Sequence, residues 1–189
     1  MSVEEIFAAL SARMVEGMMY HDQMSRYYGF LGLFGYRLMH DTHYAEETMG
    51  YRDINAYYTD HYCKLIPERR VADPKAIPDG WYPHVRGDVD PSTKRKAIQT
   101  GAEAWVTWET ETKALYEKAA KELYTQGELA SYRKVMEYVK DVDCELAEAK
   151  KEMLTLEATG YDIPYIMDRQ ALLKDKYGKE LSEMRWRTD

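Results

Sequence analysis

Five of the six prolines of this chain, Pro67, Pro74, Pro78, Pro83 and Pro91, fall in one stretch, and no other segment carries proline until Pro164. Proline cannot donate the helical hydrogen bond and disfavours helix in the residue before it. Residues 66–91 are therefore predicted as an extended connection over the surface, separating two helical halves. So long a connection is unusual within a compact domain. It is required when the second and third helices of a bundle run parallel, because the chain must travel the length of the bundle before re-entering it. The 189 residues are read as one domain, 1–189, large enough to bury roughly two thirds of its unfolded surface without a disulfide or a structural metal.

Apolar spacing supplies the helices. Ile6, Leu10, Met14, Gly17, His21, Met24, Tyr28 and Leu31 recur at intervals of three and four, which at about 100° per residue keeps them on one helix face. A first helix is predicted over 3–28. Gly29, Gly32 and Gly35 each cost about 1 kcal/mol against alanine inside a helix, so a turn is expected there. The second helix, 36–65, carries apolar residues on two sides: Phe34, Leu38, Ala45, Met49 and Ala56 on one, and a tyrosine-rich set including Tyr36, His40, Tyr44, Tyr51 and Tyr58 on the other. One side is expected to face the core and the other a second copy of the chain or the crossover. Asp90-Pro91-Ser92 opens a third helix, 92–124, with Ala102, Trp105, Trp108, Thr112 and Leu115 inward. Gly127 ends it, a heptad seam from Val135 to Leu156 marks a fourth helix over 128–158, and Gly160 closes that one. A fifth, over 164–186, runs through Ile166, Leu173, Tyr177 and Trp186, with a bend expected at Gly178. No strand-like alternation or internal repeat interrupts this all-α pattern.

The charge balance, 26 Lys and Arg against 33 Asp and Glu for a net −7, excludes the broad basic surface from which nucleic-acid binding draws its affinity. The basic triplet Lys94-Arg95-Lys96 sits beside Asp88 and Asp90 as a mixed patch. Cys63 and Cys144 form no metal-binding or disulfide pattern, so a reducing cytoplasm is the expected compartment. The N-terminal acids suit no signal peptide, and the apolar run 28–36 falls short of the roughly 20 residues of a membrane span. Phosphate-loop, dinucleotide, nucleophile-elbow and zinc-protease motifs are absent.

Two tightly joined helices, a long crossover, two more joined tightly and a short fifth helix resemble the ferritin-like four-helix bundle. Leu38-Met39-His40-Asp41-Thr42-His43-Tyr44-Ala45 resembles the second helix of that family, where Glu-x-x-His supplies metal ligands and where His40 here replaces the Glu. Trp108-Glu109-Thr110-Glu111-Thr112 resembles its third helix, and the segment with Glu145-x-x-Glu148 its fourth, where many members have Glu-x-x-His. The resemblance implies one or two divalent ions, iron or manganese, in the bundle core, and at most a metal-dependent oxidase or ferroxidase-like activity. It also implies Glu111 and Glu145 as third- and fourth-helix ligands.

The residues themselves offer partial sets. His40, His43 and Glu47, at i, i+3 and i+7, share one flank of the second helix and have the spacing to hold a metal. A tyrosine-rich interface whose histidines bond to neighbouring hydroxyls is the more ordinary reading of the same spacing. His21 lies in the apolar stripe of the first helix, where a lone histidine is most often a satisfied core residue. Glu16 falls off that stripe and is read as solvated, and the acidic row Glu137, Asp141, Glu145, Glu148 and Glu152 reads as a solvated flank more often than as a ligand ladder. Two expectations result. One is metal binding through His21, His40, His43, Glu47, Glu111 and Glu145, with Tyr44 as a nearby electron donor. The other is a metal-free structural or interaction bundle, a homodimer joined through the tyrosine face of the second helix.

Overall fold

The structure, a computed structural model, describes residues 1–67, 69–76 and 89–184. Among these the helices are α1 (Val3–Phe30), α2 (Phe34–Tyr62), α3 (Pro91–Thr125), α4 (Leu129–Ala158) and α5 (Ile163–Met184). Pro78, Pro83, Asp88 and Trp186, named above, lie outside the described residues. Ser2 starts α1 with a reciprocal pair: its hydroxyl accepts from Glu5 N, and its own N–H donates to the Glu5 carboxylate at 2.7 Å. Asp90 caps α3, accepting from Ser92 N and Thr93 N, with Pro91 in the first turn where its missing N–H costs nothing. The glycine segment contracts to a turn at Leu31–Leu33 with Gly32 at φ 75°, closed by Leu33 N–H donating to the Tyr28 carbonyl at 2.9 Å. Gly29 and Gly35 stay helical. α2 ends three residues earlier than predicted because Cys63 takes a left-handed conformation, φ 53°. α5 continues through Gly178 without a break.

Cross-helix contacts fix the directions. Met1 N pairs with Glu122 at one end of α1 and α3, and Tyr27 OH donates to the Ala97 carbonyl at the other, so these helices are antiparallel. α2 is antiparallel to α1 through their tight turn, which leaves α2 and α3 parallel. The crossover therefore spans the bundle, and it runs along α1: Glu16 accepts from Ala72 N at 3.1 Å and Gln23 from Ala76 N at 3.0 Å. Glu16 is thus a fastener for the crossover. α5 turns back alongside α4, where Arg169 bonds Glu152 and Lys176 bonds Glu148, and lies over the seam between α4 and α2.

The apolar core is in two parts. One gathers Met24, Tyr28, Tyr36, Trp105, Trp108, Ile166 and Tyr177, and the other Phe7, Leu10, Met14, Ile54, Tyr58, Tyr116 and Val142. Each fully buried side chain of this size contributes roughly 1.5–3 kcal/mol. Between the two parts lies a layer of buried polar side chains, His21, His40, His43, Glu109 and Thr112. The tyrosine face of α2 is divided between core and surface. Tyr36 and Tyr58 are 1 % exposed, and the Tyr58 ring packs on Phe7 at 5.0 Å. These two rings close the core against α1 and α5, while Tyr44 on the same side of the helix is 43 % exposed. Cys63 and Cys144 are exposed and unpaired. No helix among the described residues is long and apolar enough to cross a membrane.

Candidate metal centre

The antiparallel packing of α1 on α2 puts His21 level with His40 and His43. The His21 ring lies 5.2 Å from each of the other two, and these are 6.4 Å apart. His21 Nδ1 and His40 Nδ1 are 2.9 Å apart, so one ring donates to the other. On its other side His21 Nε2 lies 4.0 Å from Glu109 Oε1 on α3. Trp105, one turn earlier on α3, donates its indole N–H to the same oxygen at 3.0 Å and fixes the carboxyl in place. Towards α4, His43 Nδ1 lies 2.9 Å from Glu46 Oε2 without hydrogen-bond alignment. One ligand atom each from His43, Glu46 and Glu145 fall within 4.8 Å of one another. Glu47 reaches across to α1, where its carboxylate occupies the gap left by Gly17; a Cβ there would overlap it.

Burial and crowding set the protonation of this layer. Burial, then the neighbouring Glu47, raises Glu109 to about 8. Burial, then Glu109, raises Glu145 to about 8, and Glu47 is raised in the same way by burial and by Glu145. Burial pushes His21 and His40 well below the ordinary histidine range, and the neighbouring rings add to it. In His43 burial acts downward too, but Glu46 and Glu145 outweigh it and its pKa is raised.

Three buried imidazole nitrogens, His40 Nε2 and both nitrogens of His43, have no hydrogen-bond partner, and neither have the Trp108 indole N–H and the Tyr20 hydroxyl near them. An unpaired buried polar atom costs about 1–3 kcal/mol, and a lone pair on imidazole is satisfied by a transition-metal ion as well as by a donor hydrogen. Three imidazoles with the carboxylates of Glu109, Glu145, Glu46 and Glu47 form a donor set for such an ion. The residues present fit a metal.

Of the residues singled out from the sequence, His21, His40 and His43 meet in the layer, with Glu47 and Glu145 beside them. Glu111 does not: its side chain is 64 % exposed and faces Arg13 at 3.7 Å on the outer side. Glu109, two residues earlier and 1 % exposed, takes the inward position. Its signal lay in the predicted stripe, four residues after Trp105 and three before Thr112. Glu46 carried no comparable signal. Tyr44 is 43 % exposed and faces away, whereas Tyr20, 2 % exposed, packs its ring 5.0 Å from His21 and stacks on Trp108. In the acidic row, Glu148 is engaged by Lys176 and Tyr177, and Glu152 by Arg169 and Tyr36.

No protein-family model matches the chain, and no curated protein matches it in sequence. Solved structures do. An open-pore ferritin from the hyperthermophilic archaeon Archaeoglobus fulgidus superposes with a TM-score of 0.75 at 15 % identity, over 90 % of this chain and 94 % of that one. The chain has the ferritin fold. An engineered closed form of the Archaeoglobus fulgidus ferritin gives 0.73 at 16 % identity, over 90 % and 93 % of the two chains. A variant of PmFTN soaked in iron gives 0.71 at 9 % identity, over 90 % and 97 %. On this ferritin fold the histidine layer is contributed by α1 and α2, and the carboxyls facing it come from α3, where Glu109 is buried, and α4, where Glu145 is half-buried.

Proposed function

We propose that this ferritin-fold protein binds one or two divalent transition-metal ions in the polar layer of its core. The observation that carries the reading is the set of three mutually adjacent buried histidines, two of them with ring nitrogens left without a hydrogen bond, facing Glu109 and Glu145. Nothing in an apolar core favours burying this many titratable groups together unless an ion offsets them. The inner side of the site is His21, His40 and Glu109, the outer side His43, Glu46 and Glu145, and Glu47 sits over Gly17 within reach of both carboxyls.

The imidazole-rich donor set favours iron over manganese, since manganese sites are chiefly oxygen-ligated. A bound redox-active ion would supply one-electron chemistry. The chain's own residues hold and shield it: Trp105 orients Glu109, the cluster of Met24, Tyr28, Tyr36 and Trp105 excludes water on one side, and the raised carboxyl pKa values mean that protons leave as an ion enters. An oxidase or ferroxidase-like activity is part of this proposal only for a two-ion form.

Elemental analysis of protein purified from iron-supplemented cells tests the reading. One or two transition-metal ions per chain are expected, and Glu111→Ala should leave that number unchanged because its side chain faces Arg13 outside the layer. A folded, helical protein that neither retains nor takes up metal would sink the reading in favour of a metal-free structural bundle.

A further inference from the structure

α5 covers the seam between α2 and α4 only in part. Tyr177 closes one end, with its backbone against Thr42 and its hydroxyl on Glu148. Beyond it the two helices stand apart around a cleft of about 680 Å³ that opens to solvent, and its inner wall is the metal-binding layer itself, including His43 and Glu145. The cleft is one-sided in charge. Lys176 is the only lysine or arginine on its wall among the described residues, and it is already paired with Glu148 at 2.8 Å. Asp53 is likewise matched, by Lys134 at 2.8 Å. Glu46, Asp141 and Glu180 line the remainder: Glu46 faces the His43 ring at 2.9 Å, and Lys140 and Lys134 act on Asp141 from outside the wall.

The acids are ordered in depth. Asp141 is exposed, Glu145 one turn along α4 is half-buried, and His43 behind it is 4 % exposed. Both ring nitrogens of that buried histidine lack a hydrogen-bond partner, and the ring lies on the cleft wall. An acidic flank that only kept the protein soluble would not be concave and would not end on a buried histidine whose ring nitrogens lack hydrogen bonds. A concave surface of one sign with low-dielectric walls concentrates the opposite charge and speeds its arrival.

We propose that this cleft is the path by which divalent cations pass from solvent to the core layer through the side of a single chain, with Asp141 and Glu180 as capture residues at its outer part and Glu46 as the relay to His43 and Glu145. The proposal rests on the metal-binding reading above. It assigns Asp141 and Glu180 to the rate of arrival and leaves the bound state to the residues further in.

Cobalt(II) is the ion to use, because its visible absorption reports both the rate and the ligand field of binding. In stopped-flow mixing of the full chain with cobalt(II) at low ionic strength, Asp141→Asn/Glu180→Gln is expected to bind at least about ten-fold more slowly than wild type. The final stoichiometry and the end-point spectrum should be those of the wild type. Raising KCl to about 0.5 M should erase most of the difference, since exposed charges are screened over a few ångströms there. Glu103→Gln/Glu157→Gln, which removes the same charge from another face, should stay within about two-fold of wild type. An unchanged rate in the cleft variant overturns the access path while leaving the metal site standing. A lost stoichiometry or altered spectrum in that variant also overturns it, by making these residues ligands. Wild-type protein that takes up no cobalt at all removes both proposals.

Discussion

Metal-free protein carrying Glu109→Gln and Glu145→Gln is expected to hold its stability between pH 6.5 and 8, where the wild type loses it, and to bind metal at least about a hundred-fold more weakly. Glu109 is buried and Glu145 half-buried, and both are raised to about 8, so the folded chain keeps protons that the unfolded chain has released at neutral pH. The folded state then binds more protons than the unfolded one, and stability falls as pH rises, by about 1.4 kcal/mol per unit for each group. Glu47 and His43 are raised and act in the same direction in this window. His21 and His40, lowered by burial, act oppositely, but only below about 6.5, where the unfolded chain protonates its histidines. The pair releases its protons as one coupled unit, so we expect the metal-free wild type to lose about 2–4 kcal/mol from pH 6.5 to 8. The double variant should lose less than half of that. The amide oxygen introduced by Glu109→Gln would still accept the Trp105 N–H, which keeps the local packing. Urea unfolding in the presence of a chelator at three pH values reads the slope, and a flat wild-type profile would contradict the protonated pair. Adding metal to the wild type should flatten the profile, because the ion takes the place of the protons.

Gly35→Val should detach α5. A Cβ at Gly35 would overlap the backbone carbonyl of Gln170, and neither group can rotate aside. To admit it α5 must lift off α2, which exposes Ile166, Leu173 and Tyr177 and breaks the Arg169–Glu152 pair. Overpacking of this kind costs typically 1–3 kcal/mol and more when backbone is the obstacle, so a loss of about 3–5 kcal/mol is expected. Gly178→Ala is the matched control. There the added carbon meets only the end of Leu38 at 3.8 Å, and removing a mid-helix glycine should be neutral or stabilising by up to about 1 kcal/mol. Denaturant midpoints and the rate of tryptic cleavage within α5 distinguish the two. Equal behaviour of the two variants would mean that α5 does not depend on the Gly35 crossing.

Much of this architecture was written in punctuation. The proline cluster marks the crossover, Gly32, Gly127 and Gly160 mark the helix ends, and the apolar periodicity gives each helix its inward face. His21 stood out because it interrupts such a face, and the glycine turn after it makes α2 fold back level with it. The carboxylates were harder. Two residues along a helix are a rotation of about 200°, so Glu109 and Glu111 face opposite ways, and only the phase set by Trp105 and Thr112 chooses between them. The tyrosine face of α2 is ambiguous for a related reason. A helix apolar on two sides must be covered twice, and whether the second cover is another chain or another part of the same one is a long-range fact that local periodicity does not carry.

The break in the apolar core bears on how the molecule behaves as a mechanical object. Cooperative unfolding relies on hydrophobic contact running unbroken from one end of a domain to the other, and here it is interrupted at mid-height by groups that repel one another when ionised. Without an ion the bundle is two half-bundles sharing the same long helices, with a soft waist where amide protons should exchange first. An ion held at that height by the proposed ligands would act as a rivet between the long helices, and its occupancy would report itself at both ends of the molecule.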